Sequence, residues 1–222
     1  VRSVSVDSAG NIYVVGEYQY SQLTLYNKDG TAFQTQLPSE MGVAAFIAKY
    51  NTEGMVEWVA RINGTGNDYS TGVSTDSAGN IYVVGRYYSS PLTLYDKNDT
   101  AFETQLLNDT GKNDAFIAKY NTNGMVEWGA RIAGTGEEEY GTGVSADSNG
   151  NVYVVGHYDS STLTLYNKDG TAFDTILTRT GSYNTDAFIV KYNTEGMVEW
   201  AAGIGGTGND YATGVSVDSS GN

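Results

Sequence analysis

The chain has no cysteine among its 222 residues, which excludes disulfides, thiolate metal sites and cysteine nucleophiles. That absence does not place the protein inside the cell, because large secreted β proteins lack cysteine too. There is one histidine, His157, so a multi-histidine metal site is also excluded. Basic residues are scarce: 12 Lys and Arg stand against 26 Asp and Glu, a net charge of −14. Such a surface repels phosphate backbones and anionic membranes. It favours solubility, a cationic partner or divalent ions. No apolar stretch approaches the roughly 20 residues of a membrane-spanning helix, so membrane insertion by a helix is not expected. Only two prolines occur, which leaves the turns to Gly, Asn and Asp.

Glycine, at 28 residues, and tyrosine, at 18, are abundant. Glycine supplies turns and tyrosine suits half-buried strand faces, so the profile is all-β. Gly-Met-Val-Glu-Trp occurs at 54–58, 124–128 and 196–200, and Asp-Ser-x-Gly-Asn at 7–11, 76–80, 147–151 and 218–222. The period of about 70 residues points to an array. We divide the chain into repeats at 1–71, 72–142 and 143–213, with 214–222 as the first strand of a further repeat. There is no initiator methionine or signal peptide, and both ends fall inside a repeat motif. The expectation is a processed product or a window on a longer array.

Within a repeat, Val4-Ser5-Val6, a turn at Asp7–Gly10 and the β-branched run 12–18 predict a hairpin. Residues 45–50 and 55–62, around an Asn-Thr-Glu-Gly turn, predict a second. In the last strand Val56, Trp58, Ala60 and Ile62 share one face, which is expected to be the strongly buried one. Leu23-Thr24-Leu25-Tyr26, a turn at 27–30 and Thr31-Ala32-Phe33 predict a third, smaller hairpin between the two. Two main hairpins make a four-stranded antiparallel blade of the propeller type. Trp58, Trp128 and Trp200 are expected to fill equivalent positions between blades. A sugar-stacking ladder of exposed tryptophans is the competing reading.

Asp-Ser-x-Gly-Asn-x-Tyr-Val-Val-Gly, then Asp-Ala-Phe-Ile-x-Lys-Tyr-Asn, then Gly-x-Val-x-Trp, resembles the SBBP-type β-propeller repeat. The instances are 76–85 with 114–128, and 147–156 with 186–200; the first repeat carries Ala44 where the others carry Asp114 and Asp186. The resemblance implies blades of large bacterial or viral proteins, commonly extracellular or surface-attached. It implies no catalytic residues. Three repeats fall short of the four to eight blades of closed propellers. Open ends expose strand edges and apolar faces, and neighbouring repeats, a second copy or head-to-tail stacking could each cover them.

Candidate chemistry is sparse. His157 aligns with Glu17 and Arg86 and reads as a solvated strand-end side chain. Asp68, Asp210 and Glu137-Glu138-Glu139 sit in glycine-rich loops, and acidic pairs can perform acid–base chemistry. Asp7, Asp76 and Asp147 are first turn formers; calcium ligation is their second reading. Two stretches vary between repeats. One is 17–22, 86–91 and 157–162, rich in Tyr18, Tyr20, Tyr87, Tyr88 and Tyr158, which could suit sugar or protein contacts. The other is 34–44, 103–114 and 174–186. Asn63, Asn98 and Asn108 fit the glycosylation triplet. The expected function is a non-enzymatic extracellular or cell-surface structural protein whose blades stack with neighbouring repeats or copies. The alternatives are a carbohydrate- or protein-binding module using the variable loops and, more remotely, a carboxylate-dependent polysaccharide enzyme. No cofactor is expected beyond calcium.

Overall fold

The computed structural model describes every residue except 39, 109, 137, 183, 219 and 220. It is all-β, with no helix among the described residues. The first sheet holds β1 (Ser3–Val6), β2 (Ile12–Gln19), β3 (Val43–Tyr50) and β4 (Val56–Asn63), paired antiparallel in chain order. The second sheet begins with β5 (Asp68–Thr75) and β6 (Ile81–Tyr87); the short β7 (Thr93–Leu94) comes next in the chain. The second sheet then continues with β8 (Asp114–Tyr120) and β9 (Val126–Gly134). The third contains β10 (Glu139–Ala146), β11 (Val152–Tyr158), β14 (Asp186–Tyr192) and β15 (Val198–Ile204), with β12 (Thr162–Leu165) and β13 (Leu177–Thr178) intervening in sequence. The sheets are open. Both predicted main hairpins form in every repeat.

The turn chemistry explains why. Asp7 accepts from Ala9 N and Asn11 N on one oxygen, and from Asn11 Nδ2 and the Tyr13 hydroxyl on the other. Gly10, at φ 86°, completes a geometry that an L side chain rarely adopts. Asp76 repeats all four bonds. At the second hairpin Asn51 Oδ1 accepts from Glu53 N and Met55 N, and Gly54 takes φ 75°.

The small hairpin departs from expectation. The sequence places it within its own blade, but its strand pairs with the preceding one. β7, from the second repeat, joins β4 of the first sheet through Ile62↔Leu94 and Asn63↔Thr93. β12, from the third repeat, joins β9 through Leu163↔Gly134, Thr164↔Ala133 and Leu165↔Ile132, and β13 follows it. The tip stays tied to its own repeat, where Lys97 N donates to Gly124 O and Lys168 N to Gly196 O. Each hairpin therefore staples two blades. Leu92, Leu94 and Leu106 join the core around Trp58 and Ile62, and Leu163, Leu165 and Leu177 join that around Trp128 and Ile132.

Packing is also two-sided where a single buried face was expected. Val59, on the other side of β4 from Trp58, is buried with Ala44, Phe46 and Ala48 in a separate cluster. The residues of the first small hairpin, Leu23, Leu25 and Phe33, lie against it.

The tryptophans divide by neighbour. Trp58 is 5% exposed and Trp128 is 3% exposed. Each indole N–H donates to the next repeat, Trp58 Nε1 to Thr122 O and Trp128 Nε1 to Thr194 O, both at 3.3 Å. Trp200, in the same repeat position, is 41% exposed, and Ile204 beside it is 53% exposed. Trp58 and Trp128 thus fill equivalent positions between blades, as expected; Trp200 holds the same strand position on β15, and no blade among the described residues lies against it. The competing ladder of exposed tryptophans is not formed.

The repeat divisions drawn from sequence at 71 and 142 run through β5 and β10, since the phase of a repeat is arbitrary while hydrogen bonding starts a sheet at Asp68 and Glu139. Residues 210–217 lie beside β10 as β10 lies beside β5. Val217 N donates to Ser145 Oγ as Ala146 N donates to Ser74 Oγ, and Thr142 Oγ1 donates to Ala212 O as Thr71 Oγ1 donates to Gly141 O. They occupy the place of a first strand, with no strand pairing among the described residues.

The glycine turns matter to this packing. A Cβ on Gly124 would lie 2.9 Å from Trp58 Cδ2, and its φ is 75°. Gly170, at φ 80°, has open space around the same atom. Both Gly→Ala substitutions incur the left-handed backbone cost of about 1–2 kcal/mol. Gly124→Ala must also displace an indole and is expected to lose about 1–3 kcal/mol more. Denaturant titration of the two variants checks this, and equal losses would show that the turn does not seat the indole.

Candidate interaction sites at the blade junctions

The inter-blade junctions collect the polar and aromatic residues that differ between repeats. In the first variable stretch, Tyr18, Tyr87 and Tyr158 are buried, while Tyr20 and Tyr88 are exposed. The aromatic-loop reading is therefore corrected for the first three. They alternate in phase with the core residues of β2, β6 and β11 and point inward. Tyr87 and Tyr158 sit against Phe116 and Phe188 at ring centroid distances of 6.3 and 6.4 Å. The second stretch returns from the small hairpins, and Leu37 and Leu106 bridge back to Leu23 and Leu92.

Asp7 and Asp76 spend both oxygens on their own turns and tyrosines, and Asp147 accepts from Asn149 N, Asn151 N and Asn151 Nδ2. Turn formation thus accounts for their positions. Among the described residues no group of three or more His, Asp or Glu converges to hold a metal ion. Of the three glycosylation triplets, Asn63 and Asn108 are buried and Asn98 is exposed.

The loop carboxylates are deeper than their glycine-rich surroundings suggest. Asp68 is fully buried and accepts from Gly64 N, Tyr88 N, Ser89 N and the Ser89 hydroxyl. Burial raises its pKa and those donors draw it back. Glu139 occupies the corresponding place one blade on, opposite Tyr158 as Asp68 is opposite Tyr87. It accepts from the Ser160 hydroxyl, but its Oε2 has no partner. Burial, with the charges of Asp114 and Asp159, pushes its pKa up to about 8. Asp210 N donates to Thr185 O, and its Oδ2 is buried without a partner. Glu138 is exposed, and Glu137 lies outside the described residues. Each junction thus buries a carboxylate at its start, and at the second junction Asp114 and Asp159 lie close enough to Glu139 to act on its charge.

His157 is not the solvated side chain expected. It is wedged between Tyr140 and Tyr211, with centroid distances of 5.0 and 4.9 Å and both rings edge-on. Burial lowers its pKa, favouring neutral imidazole. Arg86, one blade earlier, lies between Tyr69 and Tyr140 at 4.5 and 4.2 Å. Glu17, one blade earlier again, is bidentate with Arg2 at 2.7–3.0 Å. Cross-strand pairing places Tyr69 opposite Arg86 and Tyr140 opposite His157, and the next tyrosine closes each site from the following blade. The result is a ladder along the inner strands in which tyrosine rings alternate with the Arg86 guanidinium and the His157 imidazole. Sequence reasoning missed it. The signal was present in the tyrosine repeated at 69, 140 and 211, set against the variable position at 86 and 157.

The open ends are the other distinctive surface. At the internal junctions the Arg61 guanidinium lies 3.8 Å from the Tyr95 ring of the donated hairpin, and that of Arg131 lies 4.1 Å from Tyr166. Arg61 also bonds Asp99 and Glu40. Tyr26, their counterpart at the first end, is exposed. The last strand carries Gly203 where the others carry arginine.

Comparison with known proteins agrees with this geometry. The family model described as a beta-propeller repeat matches residues 57–86 and 127–157. Each match starts on the fourth strand of one blade, crosses the junction and ends on the second strand of the next. An uncharacterized WD repeat-containing protein of Acanthamoeba polyphaga mimivirus is 28% identical over 221 residues, covering 93% of this chain. The chain spans 16% of the length of that relative. At these two places the chain carries SBBP β-propeller repeats.

Proposed function

We propose that the chain is a non-enzymatic scaffold of propeller-type blades, extracellular or surface-borne, whose open ends take a further blade from a neighbouring repeat or from a second copy. The observation that carries this reading is the exposure of Trp200 and Ile204 where Trp58, Ile62, Trp128 and Ile132 are covered. The internal junctions specify the occupant: a glycine turn beneath the indole, a carbonyl for its N–H and a small hairpin for the outer edge. The first small hairpin, Leu23 to Leu37, has the matching form. Stacking of this kind makes a repeat protein that presents polar loops to partners, in keeping with the WD-repeat description of its long relative. The surface location rests on the family resemblance.

Association of the isolated chain is the test. In dilute solution one of three indoles is open to an aqueous quencher; on concentration it is expected to become protected as the scattering mass rises. The contact should be weaker than an internal junction, because Gly203 offers Tyr26 no guanidinium, a loss of about 0.5–2 kcal/mol. Monomeric mass at all concentrations with Trp200 always quenched would overturn association between copies. A chain extended by a further repeat that still leaves Trp200 quenched would overturn the stacking reading itself. Labelling of intact source cells tests the location, and a purely internal pool would refute it.

A further inference from the structure

The ring and cation ladder supports an inference independent of the end faces. Arg86 is held between two tyrosine rings from successive blades. A guanidinium fixed in this way has already lost most of its side-chain freedom, and with five N–H donors it keeps donors to spare beside its contact with the Tyr140 hydroxyl. Arg86 makes no ion pair with a carboxylate among the described residues, while Arg2 is satisfied by Glu17 and Arg61 by Asp99 and Glu40. An arginine without a carboxylate partner among the described residues stands out in a chain of net charge −14. It opens on a groove of about 260 Å³ lined by Arg2, Tyr69, Thr71, Arg86, Tyr140 and Thr142, with no carboxylate in the lining. Pockets for drug-sized ligands measure roughly 300–1,000 Å³, so this smaller space suits one sugar-sized group.

The remaining lining is hydroxylic. Thr71 Oγ1 donates to Val84 O and Gly141 O, and Thr142 Oγ1 to Val155 O and Ala212 O. With their protons committed to the backbone, these oxygens are left as acceptors for ligand hydroxyls. The ligand must carry limited charge. Glu138 acts on Tyr140 and His157 nearby, and the protein as a whole repels polyanions. We propose that the groove binds a sugar acid: one pyranose-sized ring whose carboxylate is clamped by Arg86 and whose hydroxyls donate to Thr71 and Thr142.

Chemical-shift titration of the intact chain with glucuronate, glucose and acetate tests this. Glucuronate is expected to bind with a Kd on the order of 1 mM. Glucose, which lacks the carboxylate, should bind at least about tenfold more weakly. Arg86→Met should abolish the preference for glucuronate over glucose. Arg86→Lys keeps the charge but loses the planar fork, and should weaken glucuronate by about tenfold. Should the methionine variant fail to fold, the lysine variant carries the test. Equal binding of glucose and glucuronate, or an unchanged affinity in Arg86→Lys, would overturn the site. Acetate binding as tightly as glucuronate would overturn the sugar assignment by reducing the groove to a bare carboxylate clamp.

Discussion

Trp128→Ala is expected to lower the unfolding free energy by about 3–5 kcal/mol, while Trp200→Ala changes it by less than about 1 kcal/mol. The two residues share a motif, a strand position and a face, and local propensity cannot separate them. Their surroundings do. Trp128 packs against Tyr82 and Tyr192 at centroid distances of 6.2 and 6.1 Å, donates to Thr194 O and rests over Gly196, where a Cβ would come within 2.8 Å of the indole. Truncation leaves a cavity that flanking strands on both sides prevent from collapsing. Trp200 has one edge-on contact with Tyr153 at 6.1 Å, no acceptor from a following blade among the described residues, and is 41% exposed. Chemical denaturation at concentrations low enough to prevent association measures both. In a linear array the energy is a sum of repeat and interface contributions, so the Trp128 loss should also separate unfolding of the third blade from the first two. Similar losses at the two positions would mean that stacking between blades is not what the tryptophans provide.

The blades were legible in the sequence wherever the signal was local. Asp-x-x-Gly and Asn-x-x-Gly fix turns through their own side chains, and period-two runs such as Val56–Ile62 fix strands and their faces. What a strand pairs with is not local. Leu92-Thr93-Leu94 reads as a strand from composition, yet nothing in it says that its partner is Ile62 in the preceding blade. Burial on the second face was hidden for the same reason: Val59 occupies what looks like the polar side of β4, and only a stacked hairpin makes it core. The exposed Trp200 has the same origin in reverse, since its repeat motif is intact while no blade among the described residues lies against it. The Tyr and Arg ladder was the least legible feature. Its rings and cations lie on different strands of different blades and come together only through cross-strand register.

Stability is expected to fall as pH rises from about 5 to about 8, and Glu139→Gln should remove much of that fall. Glu139 is wholly buried, bonded to the Ser160 hydroxyl on one oxygen and unpartnered on the other. The unfolded chain loses this proton near pH 4.5, whereas the folded chain holds it to about 8. Between those limits the native state binds the extra proton, so each increment of pH favours unfolding; the effect is absent below the window and complete above it. At one pKa unit per 1.36 kcal/mol, the contribution is on the order of a few kcal/mol at the upper limit. His157 acts with the opposite sign, since burial lowers its pKa and stability rises until the unfolded imidazole has deprotonated near 6.5. The limb from pH 6.5 to 8 therefore isolates the carboxylate. Asp68 contributes in the same direction, but four donors support its charged form. The longer glutamate in the corresponding position leaves Oε2 without a donor. Glutamine keeps the shape and the acceptor for Ser160 while removing the charge. Its melting temperature should match the parent near pH 5 and exceed it by several degrees at pH 8. Parallel slopes for the two proteins above pH 6.5 would show that the junction carboxylate is solvated and ionised throughout.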